Sequence, residues 1–213
     1  MSYLHHIRVC NQYDPDAFIP LVMEGEHGGA MTIGYVRHGT GTLLRGHPSV
    51  FTGNADYVHL NPTLDSFQLR TEAVGDLVSR LADRGDFNPL RGEAYPVMQA
   101  LGSAPLFDVD RGAATTLGIL NRSFHLNGLV GNGSEARMWV ATRSKTKILS
   151  PGKLDNIVAG GHPSGLSAEE NLIKECAEEA GIDEALALAA QPVSAITYCM
   201  EAEEGLRRHV VFA

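Results

Sequence analysis

Glu175, Glu178 and Glu179 stand at positions i, i+3 and i+4, a spacing that in a helix sends three carboxylates to one side. Like charges so placed repel by about 0.2–0.5 kcal/mol per pair. A hard divalent cation would turn that repulsion into ligation, because magnesium combines one or two carboxylates with waters and phosphate oxygens. An acidic helix face is also what a solvated surface looks like, so the residues around it carry the decision.

Those residues form a strand, a turn and a helix. Ser167-Ala168-Glu169-Glu170 fits a capping box, in which the serine accepts from the N3 amide and the glutamate reaches back to the N-cap amide. Leu172, Ile173, Cys176, Ala177 and Ala180 then make an apolar stripe, and Gly181 falls where a left-handed C-cap belongs. Just before, an apolar run at 154–159 stops at Gly160-Gly161. The Gly-Gly turn can bring a free backbone carbonyl beside the carboxylates as a further oxygen ligand.

Upstream, residues 17–23 and 31–36 are apolar runs of strand length joined through Glu26-His27-Gly28-Gly29, which predicts an antiparallel pair. Short strands are expected around Val50-Phe51 and residues 57–60. Phe67, Val74, Leu77, Val78 and Leu81 share one face of a helix that ends near Gly85. Residues 88–96, rich in Gly and Pro, read as a surface connection, and 111–117 as a short helix capped by Asp110 and ended by Gly118. From Asn121 the texture changes to strands at 124–130 and 138–143, so the expected division is a small α/β domain at 1–120 and a second domain at 121–213.

Composition excludes several classes. A net charge of −8 and a pI near 5.5 leave no general basic surface for nucleic acid. The stretch 185–196 is too short to span a bilayer and is broken by Gln191-Pro192; no membrane partner is expected. Residues 1–6 lack a basic n-region and an apolar h-region, so the cytoplasm is the expected compartment. Cys10, Cys176 and Cys199 have no CxxC spacing and read as reduced and mostly buried.

The segment Lys174-Glu175-Cys176-Ala177-Glu178-Glu179-Ala180-Gly181-Ile182, with Gly160 at the matching distance, resembles the Nudix hydrolase box. Lys174 stands where the box has Arg, and Leu166 where it has its first Glu. The runs 143–147, 151–156 and 159–161, together with Gly34-Tyr35-Val36, His47-Pro48, Arg91-Gly92-Glu93 and Pro105-Leu106-Phe107, are similar to a Nudix subfamily related to thiamine pyrophosphokinase, which carries an N-terminal domain of uncharacterised function.

The resemblance implies a Nudix α/β/α sandwich lacking its C-terminal end, preceded by a small mixed α/β domain. It implies a magnesium-dependent enzyme, with manganese as the other cation, that cleaves a small-molecule diphosphate; oxidised thiamine diphosphate would go to its monophosphate. Glu178, Glu179, Glu175 and the Gly161 carbonyl would hold the metal, with Glu175 also orienting the attacking water, and Arg143, Lys145 and Lys147 would contact the diphosphate. Val210-Val211-Phe212-Ala213 reads as a strand at which a Nudix fold is unfinished, and its edge would favour a homodimer. The competing readings are a non-catalytic nucleotide- or diphosphate-binding module, a hydrolase of nucleoside diphosphate derivatives and an isopentenyl diphosphate isomerase-like enzyme. The last lacks its cysteine, because Val158-Ala159-Gly160-Gly161 precedes His162-Pro163.

Overall fold

The computed structural model describes residues 3–25, 28–146 and 150–213. Contact clustering separates two compact units: Met1–Asn121 with Tyr198–His209, and Arg122–Thr197 with Val210–Ala213. Among the described residues the architecture is mixed α/β without a closed barrel. No helix of these is long and apolar enough to cross a membrane.

The first unit opens with an exposed helix, α1 (Tyr3–Val9), followed by the strands β1 (Phe18–Glu24) and β2 (Ala30–Arg37). These pair antiparallel as their apolar patterning predicts, with a register shift at Leu21/Val22. Glu26 and His27 of the expected turn lie outside the described residues. After α2 (His38–Arg45) come β3 (Phe51–Gly53) and β4 (Val58–Leu60), and the sheet order is β2-β1-β4-β3. Five of the seven residues of β1 are buried, which is why the segment reads as an almost unbroken apolar run rather than an alternating one.

The long helix α3 (Phe67–Asp83) is capped by Ser66, whose side chain accepts from the Leu69 amide, and buries Val74, Leu77, Val78 and Leu81. Each of these stabilises the fold by roughly 1.5–3 kcal/mol. Phe67, expected on the same face, is exposed. Strands β5 (Ala94–Val97) and β6 (Phe107–Asp110) pair antiparallel, so the run at 88–96 is a surface connection only up to Glu93. The helix expected at 111–117 shortens to one 3-10 turn, Arg111–Ala113. The Asp110 carboxylate caps this turn and accepts from the amides of Arg91, Gly92 and Gly112 at 2.7–2.8 Å, drawing two chain segments onto one side chain.

Residues 198–209 complete this unit. Arg37 forms an ion pair with Glu201 at 2.8 Å and donates to the Ala202 carbonyl at 2.9 Å. Arg208 donates to the Gly118 carbonyl at 3.1 Å and lies over the Tyr35 ring.

In the second unit β7 (Leu120–Leu126) is followed by β8 (Leu129–Val130), β9 (Arg137–Met138), β10 (Ala141–Thr142), β11 (Leu154–Asp155) and β12 (Val158–Gly161). The strands expected at 124–130 and 138–143 are therefore each broken into shorter pieces. β8 pairs with β9 and β10 with β11, both antiparallel. The glycine pair lies inside β12 rather than after it, opposite Phe124 and Ser123 of β7. Helices α4 (Ala168–Ala180) and α5 (Glu184–Leu188) follow; the residues of the last two strands, β13 (Ala195–Ala202) and β14 (Gly205–Phe212), are divided between the two units. A small core of Val158, Cys176 and Ala187, with Leu126, Ile157, Leu172, Ile173, Ala180 and Ile182 around it, joins α4 to β12. All three cysteines are free, but against expectation Cys10 is exposed and Cys199 only half-buried.

Candidate functional site

Helix α4 starts where its sequence dictates. The Glu170 amide donates to Ser167 Oγ at 3.1 Å and the Ser167 amide to Glu170 Oε2 at 2.8 Å, closing both halves of the capping box. At the other end Gly181 is left-handed, with φ of 63°, and its amide bonds the carbonyls of Ala177 and Cys176.

Between these caps, one line of side chains along α4 runs against the backbone of β12. Asn171 Nδ2 donates to the Gly161 carbonyl at 2.9 Å. One helical turn on, the Glu175 carboxylate occupies the place where a β-carbon on Gly160 would stand. A turn further, the Ala159 amide donates to Glu179 Oε2 at 2.8 Å. The positions 171, 175 and 179 are spaced by four, the repeat that stacks side chains on one helix face, and they meet residues 161, 160 and 159 in turn.

The three glutamates therefore do not share one outward face. Glu175 is buried, while Glu178 and Glu179 are exposed. Lys174 lies at 3.3 Å from Glu175 and at 3.1 Å from Glu178. Among the described residues no three His, Cys, Asp or Glu side chains are gathered closely enough to hold a metal ion. Burial pushes the Glu175 carboxyl above its ordinary value; Lys174 opposes this, and the charges of Glu179 and Glu178 add to it. Desolvation pulls Lys174 down, but its bonds and charge pairing with Glu178 and Glu175 win and hold its ammonium above the ordinary value.

The donors suit a hard cation in kind, since all are oxygens: carboxylates on Glu175, Glu178 and Glu179, and the carbonyl of Gly161. The departures from the box are also placed. Lys174 supplies a positive charge at the position of Arg, without a bidentate fork. Leu166 contributes its carbonyl, 2.8 Å from His162 Nε2, and no carboxylate takes its place, because Glu170 is engaged in the cap and Glu169 is exposed.

The basic residues separate. Arg143 forms a close ion pair with Asp155, and its amide donates to the Lys153 carbonyl at 2.9 Å; it fixes the β10–β11 hairpin. Lys145 is exposed in the following loop, and Lys147 lies outside the described residues.

Two polar residues beside the glycines carry no signal in the motif itself. Asn171 is fully buried and its Oδ1 has no partner among the described residues. Its signal was its place four residues before Glu175. His162 is buried against Phe124, with its Nδ1 also unpartnered among the described residues. Burial lowers its imidazole below the ordinary value, the Leu166 bond opposes this, and the charge of Arg122 adds to the lowering.

A strand, a glycine pair and a capped helix bearing Lys174, Glu175, Glu178 and Glu179 define a Nudix-like element in a mixed α/β protein. Residues 2–121, more than half of the chain, match the family model described as Domain of unknown function (DUF4743), and the chain belongs to that family. It is 38% identical over 183 residues to Nudix hydrolase 24, chloroplastic, of Arabidopsis thaliana, covering 85% of this chain and 49% of that protein. It is 36% identical over 222 residues to Nudix hydrolase 20, chloroplastic, of the same plant, covering 99% and 58%. A third relative is the uncharacterized protein YJR142W of Saccharomyces cerevisiae, 32% identical over 129 residues, or 57% and 36% of the two chains. The chain spans about half the length of the two plant relatives.

Proposed function

We propose that residues 121–213 are a Nudix hydrolase domain and that this protein is a magnesium-dependent hydrolase of a small diphosphate, with manganese as an alternative ion. The observation that supports the reading is the seam between α4 and β12, where Glu175 packs on Gly160 and Asn171 donates to the Gly161 carbonyl. The two plant relatives named as Nudix hydrolases support it.

In this reading Glu178, Glu179, Glu175 and the Gly161 carbonyl would hold the cation. Bound there, the ion neutralises phosphate charge and makes a water more acidic. Glu175 would orient that water and accept its proton. The water oxygen bonds to one phosphorus, the bridging P–O bond breaks, and the leaving phosphate departs with the electron pair. Lys145 holds the terminal phosphate as a point charge. Oxidised thiamine diphosphate, converted to the monophosphate, is the substrate proposed.

A second reading, a diphosphate-binding module without turnover, is favoured by one contact: Lys174 already neutralises Glu175 and Glu178. The two separate in one experiment. The full chain is incubated with magnesium and a panel of oxo- and oxythiamine diphosphate, nucleotide sugars and dinucleotides, and products are identified by mass. Release of orthophosphate from the oxidised thiamine diphosphates, abolished by chelator, is expected. Magnesium-dependent binding without any product would establish the module instead.

A further inference from the structure

We propose that Asn171 is a positioning residue of the cation site, its buried carbonyl oxygen accepting a hydrogen bond from a water in the hydration shell of a hard divalent ion. The inference rests on the metal reading above and extends it to a residue outside the motif's acidic positions.

Asn171 sits in α4 with none of its surface exposed. Its Nδ2 donates to the Gly161 carbonyl at 2.9 Å, while its Oδ1 is buried without a partner among the described residues. A buried acceptor left without a donor is costly to a fold. The neighbouring helix positions facing the core are the apolar Leu172, Ile173 and Cys176.

The orphan is also in a particular place. Because the amide nitrogen touches Gly161, the oxygen on the same carbon lies beside that carbonyl, on the helix line that continues to Glu175 and Glu179. Magnesium gives up its waters reluctantly and keeps several when bound. Their hydrogens point away from the ion and need acceptors. Glu170, in the N-terminal turn of α4, is already engaged in closing the cap. Asn171 Oδ1 is a neutral acceptor that adds no repulsion to Glu175 and Glu179.

The test uses the full chain as wild type, Asn171→Leu and Asn171→Asp. Manganese alone is the probe, its free concentration followed by electron paramagnetic resonance, with melting temperature measured in magnesium and in chelator. Asn171→Leu is expected to fold, to bind manganese at least tenfold more weakly and to lose the magnesium-dependent rise in melting temperature. Asn171→Asp buries a charge, so it should melt lower than wild type in chelator and gain more from magnesium. A purely structural asparagine gives the opposite split, a lower melting temperature in chelator with the cation response unchanged.

Manganese binding by Asn171→Leu as tight as the wild type's overturns the inference and leaves the metal reading standing. Absence of manganese binding by the wild type removes both. Should Asn171→Leu not fold, Asn171→Asp decides alone: a magnesium response no larger than the wild type's overturns the inference.

Discussion

The Glu175 carboxylate lies on the bare Cα of Gly160, filling the volume that any other residue's β-carbon would take. The glycine of the motif is thus required by a side chain fifteen positions later in the sequence, and the two should behave as one unit under mutation.

Gly160→Ala is expected to destabilise the protein by about 1–3 kcal/mol, the usual cost of overpacking a filled site. In Glu175→Ala the clash is gone, so adding Gly160→Ala there should cost clearly less. Denaturant unfolding of both single variants and the double variant measures the coupling; simple additivity would contradict the contact.

Glu178→Gln and Glu179→Gln keep shape and helix propensity but each removes one ligand charge. Phosphate release should fall by far more than stability, and the magnesium-dependent rise in melting temperature should shrink. Glu169→Gln, exposed near the cap, is the control. Wild-type rates in both site variants would reduce the acidic face to solvated surface.

Arg143 and Lys145, equal candidates by sequence, should differ. Removing Arg143 breaks its pair with Asp155, and Arg143→Ala should lose about 1.5–3 kcal/mol, the range for hydrogen bonds to charged groups. Lys145→Ala should raise KM for the diphosphate several-fold while leaving the melting temperature unchanged. Thermal melts and steady-state kinetics on the two variants suffice.

Stability should depend on acid through the helix cap. The bonds to the Ser167 amide and then its hydroxyl hold the Glu170 carboxyl below its ordinary value of 4.5. A carboxyl lowered on folding stabilises the protein fully above its unfolded value, and that contribution disappears as pH falls through the folded one. Glu170→Gln can still close the cap but does not titrate. Its melting temperature should therefore fall less than the wild type's between pH 5 and pH 3, a window set by the ordinary value near 4.5. Parallel curves would sink the assignment.

What could be read in advance followed the strength of local patterning. The β1–β2 pair, the buried face of α3 and both caps of α4 each depend on periodicity or on one residue's turn chemistry, and they stand where the sequence places them. Helix α2 gave no such signal: His38-Gly39-Thr40-Gly41-Thr42-Leu43-Leu44-Arg45 is poor in helix formers. Packing makes it helical, with Leu44 fully buried and Gly41 pressed against Ile19 and Val58. Strand β5 was hidden by Pro96, which a two-stranded ribbon tolerates. In the site, the spacing of Glu175, Glu178 and Glu179 was plain, but periodicity alone cannot say which side of α4 is covered. Glu175 turns inward only because Gly160 and Gly161 leave room, a relation between two elements that neither one displays.

The contacts of Arg37 with Glu201 and Ala202, and of Arg208 with Gly118 and Tyr35, also set an order of events during synthesis. The first unit takes in residues 198–209, and residues 122–197 are translated between its two parts. At about 5–20 residues per second that interval lasts on the order of 4–15 s. During it Arg37 and Tyr35 have emerged and their partners have not. Arg37 and Tyr35 must wait for these partners on the ribosome while helix α4, made entirely in between, is free to fold first.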